Sequence, residues 1–211
     1  MRKIHIAGVN GLRPVPGASG EWYFGIGYEQ GDIYEAEEIF RAGGTVRGRA
    51  LCLVKHPEGR VYRPVPVKEN EYPGEPAFCD GKIAFPLVRF AAGEIRVEMF
   101  DCATKRTKTA AVIPYEGVKD CYNLAINAAP LTLTRHVVGE ELEILWPERV
   151  AITPGERESF FHREGEKLYF ARWCEDPDYR EETVVRNLRG KLIAEYGTGA
   201  EVMPDGELWL L

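Results

Sequence analysis

The sequence predicts an all-β protein with the repeated sheets of a small four- or five-bladed β-propeller. A glycine turn followed by a polar residue and a short apolar, aromatic strand recurs along the chain, at residues 31–34, 80–85, 165–170 and 205–210. Successive strand positions in this pattern lie 50, 41, 44 and 40 residues apart, at Ile33, Ile83, Leu124, Leu168 and Leu208. A period near forty residues is typical of propeller blades. No long stretch shows helical periodicity.

Length and composition indicate one globular domain over residues 1–211. The chain has 211 residues, of which 45% are hydrophobic and 28% charged. A chain of this size buries about 70% of its unfolded surface, so its core needs neither disulfides nor a metal for stability. Aromatic residues make up 11% of the chain and suit half-buried, pleated surfaces.

The N-terminal quarter contains two predicted strands and one ambiguous segment. Alternation over residues 2–7 predicts a short strand, and a glycine- and proline-rich loop follows it. Residues 22–28 form an aromatic strand in which Gly25 and Gly27 mark a bulge or a close backbone approach. Residues 33–40 fit a short helix by their Ala and Glu content, and a strand by their β-branched and aromatic ends.

The rest of the chain consists of short predicted strands separated by turns. Residues 49–54 form one strand, and two prolines make its partner, residues 60–67, an edge strand. The alternation of polar and apolar residues over 94–100 predicts one face toward the core and one toward water. The remaining strands are predicted at residues 83–90, 109–113, 122–126, 131–136, 141–145, 167–173, 183–186, 191–196 and 207–211.

The final strand is expected to complete a sheet begun by N-terminal strands, because ring closure removes an exposed sheet edge. Its turn, Pro204-Asp205-Gly206-Glu207-Leu208-Trp209, resembles the Asp-Gly-x-Leu-Trp turns that recur in β-propeller proteins, including gluconolactonase-like ones. The resemblance covers six residues with three looser echoes, and it implies a fold and no functional residue. A β-sandwich with an appended hairpin is the alternative fold.

Charge and targeting patterns narrow the partners and the location. A net charge of −6 argues against nucleic acid as a partner, because such binding depends on neutralising phosphates. No apolar run is long enough to span a bilayer, so no membrane partner is expected. The five cysteines show no CxxC spacing and no secretory signal is recognisable, which predicts a cytoplasmic location.

The segment 173–179 is the densest group of candidate functional residues. Three carboxylates lie within four residues beside a tryptophan and a tyrosine, in the series Trp173, Glu175, Asp176, Asp178 and Tyr179. Carboxylates can offer oxygen ligands to a hard cation, or act as acid and base when their pKa values differ. The spacing is not that of an EF-hand, and a solvated acidic hairpin loop is the simpler interpretation.

Aromatic residues are the other candidates for binding, among them Trp22. Tryptophan and tyrosine combine apolar area with a polar tip, so they can stack on sugars or peptides, although they also pack between blades. The four histidines show no metal-binding spacing. Neither a metal nor any other cofactor is expected.

Three classes of function remain open. The first is a binding scaffold that recognises a protein or a glycan through aromatic and acidic loop residues. The second is a hydrolase or lactonase that acts on a sugar-like substrate with carboxylates or a divalent cation. The third is a self-assembling subunit. The absence of a catalytic motif favours the first class and a protein that is not an enzyme.

Overall fold

The structure, a computed structural model, describes residues 3–9, 11–27 and 31–211. Arg2 and Tyr28, which the sequence places in strands, lie outside the described residues. Residues 3–9 contain no strand, in contrast to the prediction for residues 2–7. They lie as an irregular segment on the first sheet, where Ile6 packs against Cys52 and Val54.

Four antiparallel sheets follow one another along the chain, each with its strands in sequence order. The first sheet contains β1 (Arg13–Pro14), β2 (Trp22–Ile26), β3 (Leu51–Lys55) and β4 (Arg60–Tyr62). The second contains β5 (Glu71–Pro73), β6 (Ala77–Cys79), β7 (Lys82–Arg89), β8 (Glu94–Asp101) and β9 (Thr107–Pro114), with β5 and β6 both paired to β7.

The last two of these sheets and a hairpin complete the chain. The third sheet contains β10 (Ala125–Ala128), β11 (Leu131–His136), β12 (Leu142–Trp146) and β13 (Val150–Ile152). The fourth contains β14 (Glu158–Glu164), β15 (Lys167–Cys174), β16 (Arg180–Asn187) and β17 (Leu192–Tyr196). The hairpin consists of β18 (Ala200–Val202) and β19 (Leu208–Leu210). The final strand therefore pairs with β18 and not with an N-terminal strand.

The ambiguous segment is a helix, α1 (Ile33–Arg41), inserted between β2 and β3. The Asp32 side chain accepts from the Glu35 amide at 2.9 Å, and the Glu35 side chain accepts from the Asp32 amide at 2.8 Å. This capping box satisfies two amides that a helix start leaves unpaired. Two short 3-10 turns lie at Phe90–Ala92 and Tyr115–Gly117.

The helix explains why the predicted period is only partly correct. Ile33 lies in α1 and Leu124 lies immediately before β10, so neither residue belongs to the second strand of a sheet. The strands in second position, counted along the hydrogen-bonded order of each sheet and of the hairpin, begin at residues 22, 82, 131, 167 and 208, with intervals of 60, 49, 36 and 41 residues. The inserted helix lengthens the first interval, and the repeat itself is real.

Consecutive sheets pack face to face through separate apolar clusters. Trp22 and Phe24 of the first sheet pack with Phe85 of the second. The alternate residues of β7, such as Val88, pack with the third sheet and α1. A third cluster joins the third and fourth sheets, with Phe170 at its centre. This succession differs from two sheets in a sandwich and is that of propeller blades.

Backbone hydrogen bonds link some neighbouring sheets at one end of their strands and close the succession of sheets into a ring. The Phe78 amide donates to the Pro16 carbonyl at 2.9 Å, which links the first two sheets. The Gly165 amide donates to the Ala129 carbonyl at 3.2 Å, which links the third and fourth sheets. The Ser19 amide donates to Pro204 of the final hairpin at 3.0 Å, so the last unit returns to the first.

The two strand glycines mark a close backbone approach, as the sequence predicts. A Cβ at Gly27 would lie 2.9 Å from the Gly8 carbonyl oxygen, and one at Gly25 would lie 2.9 Å from that of Gly11. A larger side chain at either position would collide with this neighbouring backbone. Gly8 and Gly11 can therefore approach Gly27 and Gly25 closely because both of these positions lack a side chain.

Candidate ligand-binding pocket

A cavity of about 460 Å³ opens where the sheets converge, at the end opposite the ring-forming turns. Ile26 ends β2, His136 ends β11, and Ser159 lies at the start of β14. Antiparallel strands reverse direction, so the ends of second strands and the starts of first strands meet at the same edge. All four complete sheets or their connections therefore contribute to one pocket.

Helix α1 brings Asp32 and Tyr34 to the rim of this pocket. The helix is held in place by Glu37, which is 1% exposed. Its carboxylate accepts from the Tyr115 hydroxyl at 2.5 Å and the Cys121 amide at 2.6 Å, and it pairs with Arg41 at 2.6 Å. Such a buried charge is stable because each oxygen has a partner.

The same anchor makes Cys121 an unsuitable nucleophile, although it lines the pocket. Burial raises the pKa of the Cys121 thiol, and the charge of Glu37 raises it further. A reactive cysteine needs the opposite shift, because the thiolate is the nucleophile. Burial and the hydrogen bond to Glu37 likewise raise the pKa of Tyr115 to about 12.

One wall of the pocket carries neutral polar groups. The Asn127 amide donates to the Thr134 hydroxyl at 2.9 Å, which fixes both side chains across β10 and β11. Asn123 has a φ of +47°, a conformation that asparagine tolerates better than most residues. Within the described parts of the chain, the side chains of Asn123 and Ser159 form no hydrogen bond, so both can bind a ligand.

His136 closes the inner end of this wall and is 4% exposed. Its ring meets that of Phe170 edge to face, with centroids 6.3 Å apart. Burial lowers the pKa of His136, although the nearby backbones of Glu158 and Glu141 partly oppose the shift. Neither ring nitrogen has a hydrogen bond of good geometry to a described residue. The imidazole is therefore neutral at neutral pH.

Two aromatic rings from the fourth sheet also line the pocket. The pairing of β14 with β15 shifts register between Phe160 and His162, as at a β-bulge. Phe160 meets Phe170 at 5.7 Å between ring centroids, whereas Phe161 meets Tyr169 at 6.5 Å. Because the bulge sends neighbouring rings to different partners, Phe160 and Phe161 can both border the cavity.

The charged residues of the pocket have partners in the protein. Asp32 is engaged in the helix cap. Glu75 pairs with Arg13 at 2.7 Å. The Arg49 guanidinium lies 4.2 Å from the centre of the Tyr72 ring and also donates to the Gly31 carbonyl. The groups left to recognise a ligand are thus mainly amides, hydroxyls and aromatic rings.

The sequence-predicted site residues fall into two groups. Trp22 is 2% exposed and packs between Tyr62 and Phe100, with ring centroids 5.6 and 5.8 Å away. It belongs to the core, so its choice as a binding residue is corrected: its ring has almost no surface to offer. The other five residues lie at the end of β15 and in the exposed loop before β16: Trp173, Glu175, Asp176, Asp178 and Tyr179.

This loop lies at the same edge of the sheets as the pocket. Ser159 is paired with Ala171, and Trp173 lies two residues further along the same face of β15. The three loop carboxylates do not form a metal cluster. Across residues 3–9, 11–27 and 31–211, no group of three or more His, Cys, Asp or Glu side chains is placed to hold a metal ion.

The pocket residues that sequence reasoning missed have no local motif. Thr134 and His136 are ordinary members of an alternating strand, and their partners come from elsewhere in the chain. Asn127 offers the one usable signal, because asparagine is depleted in strands and its presence in β10 indicates a special role.

Comparisons with known proteins leave the family open. No protein-family model and no curated protein sequence matches this chain. Its structure is similar to the crystal structure of TolB from Acinetobacter baumannii, with a TM-score of 0.43 and 13% sequence identity. The match covers 92% of this chain and 45% of the TolB chain, so this chain spans less than half of that protein's length. A similarity this low supports no conclusion about the function of this chain.

The described residues contain no helix that is both long and apolar enough to cross a membrane. The cytoplasmic location stays a prediction from the sequence.

Proposed function

We propose that the protein is a binding module for a small hydroxyl-rich ligand of the sugar class, held in the pocket at the convergence of the sheets. The observation that carries the proposal is that two kinds of side chain line this pocket. Asn123, Asn127 and Ser159 offer amide and hydroxyl groups, and Phe160 and Phe161 offer ring surface. The hydroxyl groups of a sugar can bond to the amides and hydroxyls, and its C–H faces can pack on the aromatic rings.

Size and charge support this class of ligand. A volume of about 460 Å³ lies within the range of small-molecule pockets. Asp32 and Glu75 already have partners, so a neutral ligand meets no uncompensated charge. Recognition of a protein by the exposed acidic loop stays a prediction from the sequence.

Binding is tested by calorimetry with a panel of neutral monosaccharides and disaccharides. We expect at least one to bind, and Asn123→Gly to weaken its affinity by about tenfold, the cost of roughly one hydrogen bond. Glycine keeps the φ of +47° accessible. The matched control is Ser19→Gly, which removes an exposed side chain at a φ of +46° at the opposite edge of the sheets.

The control is expected to leave affinity within about twofold of the parent. A panel without any saturable binding would overturn the proposal. Equal losses in both variants would show that Asn123 does not contact the ligand.

A hydrolase acting on the same ligand is the second candidate. Neutral His136 and Ser159 line one cavity, and such a histidine can accept a proton. The test is turnover of chromogenic glycosides and of lactones by the protein and by His136→Gln. Turnover that this change abolishes, with sugar binding retained, would favour the enzyme over the binding module.

A further inference from the structure

Trp173 occupies the position on the fourth sheet that continues the pocket outward. Ser159 pairs with Ala171 across β14 and β15, and Trp173 is the next residue of β15 on that face. Such diagonal neighbours have Cβ atoms about 7–8 Å apart. Ala171 lies between them on that face and, with only a methyl group, presents little side chain between the indole and the pocket.

The opposite faces of the same strands have no such opening. Phe170, one residue before Ala171, is fully buried against the third sheet. Trp173 instead pairs with Glu181 of β16 and remains half-buried at the sheet end. An indole kept partly in water beside a cavity is a stacking surface.

The hairpin tip continues this surface with free polar groups. Glu175, Asp176 and Asp178 are exposed, and within the described residues their carboxylates form no hydrogen bond or ion pair. The loop is tied down by Arg180, whose guanidinium donates to the Asp176 carbonyl at 3.1 Å. Tyr179 at the end of the loop is 73% exposed.

We infer that the ligand is an oligosaccharide, with one unit in the pocket and the next stacked on Trp173 beside the acidic loop. This inference rests on the proposed function, because the first unit occupies the same pocket. A free sugar fills the cavity alone, whereas a chain extends toward Trp173. Carboxylates at the tip accept hydrogen bonds from the hydroxyls of the units outside.

The position of Trp173 favours a glycan over a peptide. A bound peptide commonly adds a strand to a free sheet edge, where its main chain finds partners. β16 pairs with β15 as far as Cys174 and β14 pairs with it as far as Arg172, so β15 offers an added strand an unpaired edge at its last two residues alone. Recognition here therefore depends on a ring face and on side-chain acceptors.

The test measures affinity by calorimetry for one sugar and for its linear oligomers of two to four units. We expect the dimer to bind about tenfold more tightly than the single unit. Trp173→Ala is expected to remove this gain and to leave the affinity for the single unit within about twofold. The matched control is Trp209→Ala, at a 52% exposed tryptophan in the final hairpin, which should keep the gain.

The outcomes separate the two proposals. If all chain lengths bind with equal affinity, the oligosaccharide proposal is overturned. The pocket proposal still stands in that case, provided that the single unit binds and that Asn123→Gly weakens its affinity. Loss of the gain in Trp209→Ala as well would also overturn the oligosaccharide proposal, since the second unit would then not lie on Trp173. Binding of extended peptides in place of oligosaccharides would assign the surface to a different class of ligand.

Discussion

The second and fourth sheets are both antiparallel and differ in what covers their faces. In β7 of the second sheet, Ile83 and Phe85 pack against the first sheet, while Ala84 and Val88 pack against the third. In the fourth sheet, Phe170 packs against the third sheet. Its other face carries Ser159 at the pocket and the half-buried Trp173 beside it.

The comparison shows how one repeated unit serves two purposes. A strand between two neighbouring sheets is a scaffold, and β7 is one, because both its faces are dry and it is apolar from Ile83 to Val88. A sheet with one less-covered face retains polar and aromatic side chains that are free to contact a ligand. The fourth sheet compensates with charge, since buried Glu158 is paired in two hydrogen bonds with Arg186, at 2.7 and 2.8 Å.

The largest effect is expected from a cavity in the second sheet. Phe85 is fully buried, so Phe85→Ala should lower the free energy of unfolding by about 4 kcal/mol, as lost transfer energy plus a cavity. Tyr196→Ala, at a 41% exposed ring of the fourth sheet, should lower it by no more than about 1 kcal/mol. Urea denaturation measures both. Equal losses would contradict the difference between the two sheets.

Removal of the arginine partner should affect the fourth sheet more than the second. Arg186→Met leaves the carboxylate of Glu158 buried without its cation and should lower the free energy of unfolding by about 3 kcal/mol. Arg96→Met in the second sheet breaks a pair with Glu94 that is about one-third exposed, and should cost no more than about 1 kcal/mol. Urea denaturation at neutral pH compares the two variants, and similar losses would show that Glu158 does not depend on its partner.

Acidic pH should reduce the loss of unfolding free energy that Arg186→Met causes. Burial alone would raise the pKa of Glu158, but the hydrogen bonds from Arg186 and the Gly155 amide, together with the arginine's charge, hold it below its ordinary value of 4.5. The pair therefore stabilises the fold above this value, and the stabilisation is lost as pH falls through the folded pKa.

Without Arg186, burial raises the pKa of Glu158, so a proton relieves the buried charge. The difference in unfolding free energy between parent and variant should then shrink between about pH 7 and about pH 4. Urea midpoints over this range provide the measurement. A difference that stays constant would mean that Glu158 is not the group responsible.

The smallest effect is expected at the acidic loop. Because its three carboxylates are exposed, Glu175→Ala, Asp176→Ala and Asp178→Ala combined should change the free energy of unfolding by less than about 0.5 kcal/mol. Thermal denaturation of the triple variant and the parent checks this. A clear loss of stability would show that the carboxylates hold the loop together and are not free for a ligand.

Sequence patterns predicted the strands well where one face of a strand is buried and the other exposed, because burial alone then decides whether each residue is apolar or polar. The alternation over residues 94–100 corresponds to β8. The strand predicted at residues 60–67 is the outermost of its sheet, but it ends at Tyr62, before the two prolines. The segment at Ile33 was ambiguous because β-favouring residues flank its ends. Its capping pair, Asp32 and Glu35, was the readable sign of a helix.

The pocket could not be predicted, because its residues are distant in sequence and meet only when the sheets pack. Trp22 and Trp173 show the limit of residue type, since both are tryptophans in strands with aromatic neighbours. Trp22 lies between Tyr62 and Phe100, while Trp173 lies at a sheet end beside Ala171. Which tryptophan was free to bind followed from partners contributed by other parts of the chain.

The hydrogen bond from the Ser19 amide to the Pro204 carbonyl closes the ring, and we expect it to open more often than the contacts between packed sheets. Phe78, which bonds Pro16, lies beside a large apolar cluster, so exchange of its amide proton requires two packed sheets to separate. The Ser19 amide lies in an exposed turn and meets an exposed hairpin, so a local opening suffices to expose it. Deuterium should therefore enter at Ser19 long before it enters at Phe78, and the ring should open and close there while its blades remain folded.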